Sequence, residues 1–85
     1  MAKQVISQNA IDTVAELNDK LFEAEWELEQ QQMAVSKYRH YLAAEKNYET
    51  VMDVRGAIKN LRGKQQRVDE LRRSLDKAID EIFSL

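Results

Sequence analysis

The chain has 85 residues, a net charge of −2 and neither cysteine nor proline. One small domain over residues 1–85 is the expectation, and a compact unit of this size buries only about 60–65% of its unfolded surface. Without cysteine there is no disulfide framework or thiolate metal site to help it, and no apolar run approaches the roughly 20 residues that span a bilayer.

The segment Met1 to Ser7 lacks the apolar core of a signal peptide, so a cytoplasmic protein with no membrane partner is expected. Helix 1 has a start signal at Ser7, whose hydroxyl suits the first free backbone N–H groups. Ile6 and Ile11 stand at hydrophobic-staple positions around it, and Asn9 with Asp12 is a competing cap. From there Val14, Leu21, Leu28, Val35 and Leu42 recur every seven residues. Ala10, Leu17, Ala24, Gln31 and Tyr38 fill the intermediate positions, so the stripe alternates steps of four and three. That spacing keeps one helix face against a partner helix. Gln31 is the polar intruder: buried, it would cost stability and fix register; exposed, it would do neither.

Extending this series by sevens reaches Glu49, Gly56 and Gly63, which cannot continue an apolar seam. The first helix therefore ends within Glu45–Thr50, with Asn47 expected in the left-handed conformation that closes helices. Thr50 with Asp53 has the spacing of a capping box for the next helix. A second series follows at Val54, Leu61, Val68, Leu75 and Ile82, flanked by Ile58, Leu71, Ala78 and Ile79. Gly56 and Gly63 lie inside it, each about 1 kcal/mol worse than alanine, and leave room for a kink or a third short helix.

The fold expected is all-α: an antiparallel, coiled-coil-like helical hairpin with helix 1 at about 7–46, a turn at 46–50 and helix 2 at about 50–84. Two helices rarely make a stable core alone, so a homodimer forming a four-helix bundle is expected. Val14, Leu21, Leu28, Val35, Leu61, Val68, Leu75 and Ile82 would form its oligomer core.

Charge is unevenly placed. Residues 1–32 with 68–85 hold five basic and twelve acidic side chains; residues 33–67 hold eight basic and three acidic. A fold at residues 47–50 would give the hairpin a basic turn end and an acidic open end.

Three large apolar residues, Phe22, Trp26 and Met33, lie opposite the helix 1 seam. They are either bundle core or anchors for a protein partner, since tryptophan and its neighbours dominate interface energies. Glu23, Glu25, Glu27 and Glu29 would rim them with acid, with Glu23 and Glu29 the chosen rim contacts. Arg39 on helix 1 and Arg55, Lys59, Arg62 and Arg67 on helix 2 are the alternative site, a basic stretch suited to phosphates. Tyr38, Tyr41 and Tyr48 nearby could stack on unpaired bases.

Signals for catalysis and cofactors are missing. His40 is the single histidine, with no second nitrogen or sulfur ligand to make a metal site. No serine or threonine has a nucleophile-elbow setting, and the two glycines do not form a phosphate loop. No metal, no cofactor and no enzyme activity are expected. The stretch Asp69 to Asp80 resembles the second helix of a family of small aspartyl-phosphate phosphatases over twelve residues of common helical composition. Helix 1 is far longer than that family's, so its function is not carried over. The Trp-x-Gly turn of another hairpin family is missing, because no glycine follows Trp26.

The function expected is a non-catalytic interaction module: a small homodimeric regulator or inhibitor, of the kind common among bacterial and phage proteins, docking on a protein partner. A nucleic-acid-associated protein is the alternative. A structural unit assembling acidic end to basic end is the third reading.

Overall fold

A computed structural model describes residues 7–83 as two α-helices, α1 (Gln8–Ala44, 37 residues) and α2 (Tyr48–Phe83, 36 residues). The helices pack along their lengths as an antiparallel hairpin, a rod of 70 × 16 × 16 Å. Among the described residues no helix is long and apolar enough to cross a membrane.

Ser7 caps α1. Its backbone is extended, its Oγ accepts from Asn9 N–H at 3.2 Å, and its carbonyl accepts from Ile11 N–H at 3.1 Å. Asn9 is already helical, so the competing cap does not form. Ile6 lies outside the described residues, and the staple with it.

The connection is shorter than expected and is capped differently. Glu45 ends α1 with its N–H on the Tyr41 carbonyl at 2.8 Å. Asn47 has no left-handed backbone, because no non-glycine residue described has positive φ. It caps the start of α2 instead. Its Oδ1 accepts from Thr50 N–H at 2.9 Å while Thr50 Oγ1 accepts from Asn47 N–H at 3.2 Å. This is a reciprocal capping box one turn earlier than the one expected at Thr50 and Asp53. The Thr50 hydroxyl also donates to the Glu45 carbonyl at 2.6 Å, closing the turn on itself. Helix α2 accordingly begins at Tyr48 and runs unbroken through Gly56 and Gly63, so no third helix forms among the described residues.

Both heptad series face the partner helix. Among the described residues the buried ones are Leu21 and Ala24 on α1, and Ala57, Val68 and Leu71 on α2. Leu21, Ala24, Val68 and Leu71 form one cluster, with Leu17, Leu28 and Leu75 packed against it. The core therefore sits in the half remote from the turn. Two of the buried residues are alanines, whose small side chains let the helix backbones approach each other. Val14, Leu28, Val35, Leu61, Leu75 and Ile82 line the same seam half-buried.

Near the middle, half-buried Gln31 donates Nε2–H to the Ala57 carbonyl at 3.0 Å. It thus ties the two helices together at one register. Lys64 occupies the seam position between Leu61 and Val68 and sends its ammonium group out to Glu27 at 3.4 Å. Arg72 reaches Glu25 at 3.0 Å. Glu25 and Glu27 lie on opposite flanks of the α1 stripe, so an ion pair closes each edge of the seam.

Candidate functional site

The hairpin leaves the face of α1 opposite the seam uncovered. Phe22, Trp26 and Met33 are 65%, 61% and 62% exposed there. Helical periodicity places them together, because steps of four and seven residues bring side chains back to one side of the helix. Glu23 and Glu29 stand exposed beside them. The expected rim is narrower than the sequence suggested: Glu25 and Glu27 turn toward the seam edges and pair with Arg72 and Lys64. The five chosen partner contacts, Phe22, Glu23, Trp26, Glu29 and Met33, thus share one open surface.

The alternative basic site is only partly assembled. Arg55, Lys59 and Arg62 lie along one side of α2 around a shallow groove floored by Val51, Val54 and Ile58. Arg39 lines a separate hollow on α1 with Ser36, His40 and Ala43. Arg67 borders a hollow with Lys20, Glu23 and Glu27, in acidic surroundings. The cause is the position of the turn. Because the chain folds around Lys46, residues 64 and 67 fall beside the glutamates of α1, and the basic end is shorter than expected. Among the described residues, Arg39, Arg55, Lys59 and Arg62 form no ion pair within 4.0 Å.

Two of the three tyrosines near the turn, Tyr38 and Tyr41, are engaged within α1, while Tyr48 at the start of α2 is exposed. Tyr38 is half-buried and meets Tyr41 edge to face with centroids 6.2 Å apart, while Lys37 Nζ lies 5.7 Å from the Tyr41 ring centre. His40 Nδ1 is 2.7 Å from the Ser36 carbonyl oxygen, a contact that requires the proton on Nδ1. Among the described residues no three His, Asp or Glu side chains are grouped to hold a metal ion.

Two seam members escaped the sequence reading, Ala57 and Lys64. Counting strictly by three and four from Val54 lands on both. Lysine reads as a surface residue by composition, but its long apolar stem can lie in a seam while the charge stays wet.

Comparison with family models, with curated proteins and with solved structures found no match. The likeness of residues 69–80 to the phosphatase helix gains no support from them.

Proposed function

We propose that the chain is a non-catalytic interaction module, a small helical-hairpin regulator or inhibitor that docks on a protein through the outer face of α1. The observation that carries the reading is the exposure of Phe22, Trp26 and Met33 together on a face that the hairpin does not use. Large apolar side chains grouped on a surface mark interaction sites, and tryptophan at the centre of such a group is a common anchor. Glu23 and Glu29 would select a partner surface with donors or positive charge at its edge.

The test is denaturant unfolding of Trp26→Ala and Met33→Ala, followed by circular dichroism in dilute solution. Docking residues leave stability within about 0.5 kcal/mol of the parent chain. A loss of about 3 kcal/mol or more would mean that they are core, and would end the docking reading.

A second reading rests on Arg55, Lys59 and Arg62, which are exposed and unpaired among the described residues. As a phosphate-tracking strip they would bind nucleic acid with an affinity that falls steeply between about 50 and 200 mM salt. The slope should flatten on Arg62→Gln. Binding that ignores salt rejects this reading.

A further inference from the structure

The docking face of α1 carries a heptad of its own. From Ala15 the steps to Asp19, Phe22, Trp26, Glu29 and Met33 alternate four and three, the same spacing that builds the hairpin seam, and all six residues are exposed. Continued to His40, the stripe is almost four heptads long, or about 38 Å of helix. A stripe so spaced fits another helix running along it. On α2 the exposed large apolar residues Tyr48, Val51 and Met52 are confined to the first turns and Phe83 to the last. Between them the outer positions Arg55, Lys59, Arg62, Gln66 and Arg73 are polar, so no apolar stripe of comparable length forms.

The charge order along this face is self-complementary. The row beside the stripe runs Glu16, Glu23, Gln30 and Lys37, acidic first and basic last. The row on its other side runs Asn18, Glu25, Gln32 and Arg39. We propose that the occupant of the docking face is α1 of a second copy, lying antiparallel about a two-fold axis between residues 27 and 28. This rests on the docking reading and names its partner.

In that register Phe22 of one copy is level with Met33 of the other, and Trp26 is level with Glu29. The indole N–H then has a carboxylate to donate to, which suits a partly buried tryptophan. Asp19 meets Ser36 and Ala15 meets His40. Along the flanks Glu16 meets Lys37, Glu23 meets Gln30, Asn18 meets Arg39 and Glu25 meets Gln32. Glu16 already holds Lys20 at 3.3 Å in an exposed pair within α1, which Lys37 of the second copy can join.

An antiparallel pair slipped one heptad toward the C-terminus sets Phe22 level with His40, Trp26 with Ser36 and Met33 with Glu29, so the large apolar residues lose one another. Two further arrangements set like charges against each other. A parallel pair places Asp19 and Glu29 of the stripe each opposite its own copy. An antiparallel pair slipped one heptad toward the N-terminus sets Asp19 level with Glu29 and Glu23 beside Glu23. Flanking charges of this kind set partner and orientation in paired helices. Because the contact is isologous, it closes at two copies and leaves both α2 helices outermost.

The chain has no cysteine, so introduced thiols report the register directly. Asp19→Cys and Ser36→Cys chains, mixed and oxidised, should give the mixed 19–36 disulfide over either like pair by roughly tenfold, because distant thiols cannot bridge. A 19–19 product in excess would show a parallel pair and overturn the proposal. In sedimentation equilibrium of the full chain, Lys37→Glu should weaken the dimer roughly tenfold and added Glu16→Lys should restore it. A double variant as weak as the single one contradicts the register. A parent chain that stays monomeric at every concentration overturns the self-pairing. If Trp26 of that monomer is open to acrylamide, the docking face stands for a different protein; if it is shielded, the docking reading fails as well.

Discussion

Gln31 is the one polar side chain in the α1 stripe, and it reaches across to the Ala57 carbonyl at 3.0 Å. That carbonyl lies within α2, where its helical partner remains, so the amide adds a bond rather than rescuing an orphan. Its contribution is therefore to register more than to stability. Gln31→Leu should raise the unfolding free energy by about 1 kcal/mol through added apolar contact, read from urea denaturation. A loss of stability would show that the amide bond does more than align the helices. Val68 is the deepest side chain, at 0% exposure. Val68→Ala should cost about 2 kcal/mol, because the rigid helix pair cannot collapse around the missing methyl groups. At this scale the sequence was a partial guide. A seven-residue period identifies Val68 as buried, but it cannot say whether an amide at a seam position turns in or out. That depends on what the opposite helix presents, here a backbone carbonyl beside an alanine.

The helices themselves were legible because the apolar spacing alone specifies them. The phase change after Leu42 requires a break, and the structure has one. The turn chemistry was harder to read. An asparagine at a helix junction can end one helix or start the next, and the deciding contact is Thr50 three residues on, acting as the third helical residue rather than as the cap. Thr50→Ala removes both the capping bond and the hydroxyl's tie to the Glu45 carbonyl. It should destabilise the hairpin by about 1 kcal/mol in thermal unfolding. The glycines point the other way. A Cβ built at Gly56 or Gly63 meets nothing within 4 Å, and neither residue uses positive φ. Gly56→Ala and Gly63→Ala should each stabilise α2 by about 0.5–1 kcal/mol, with a raised melting temperature. A fall in melting temperature would mean that the added methyl group meets a neighbour at one of these positions.

For the whole molecule, two ion pairs border the seam, Lys64 with Glu27 and Arg72 with Glu25, and their side chains are 39–53% exposed. Pairs this wet are worth about 0.2–1 kcal/mol each, and salt weakens them further. They matter more as boundaries: bringing another helix against either seam edge would require burying them. The outer face of α1 carries no pair that ties the two helices together, only the exposed Glu16–Lys20 pair within α1, and it is the face the proposed association uses. Its residues could be read from the sequence, since Phe22, Trp26 and Met33 fall opposite the stripe by simple counting. Their exposure could not, because whether α2 bends over them depends on where the turn lies and how straight α2 is. The charge polarity was legible only in outline, because the turn at Lys46 places Lys64 and Arg67 beside the glutamates of α1.

The most direct check on this account is acrylamide quenching and emission of Trp26, the single tryptophan, through a dilution series with helicity followed in parallel. The docking face predicts that Trp26 becomes red-shifted and freely quenched on dilution while the helical signal of the hairpin persists. A tryptophan that stays blue-shifted and shielded in a folded, dilute chain would place it inside the hairpin core and contradict the account.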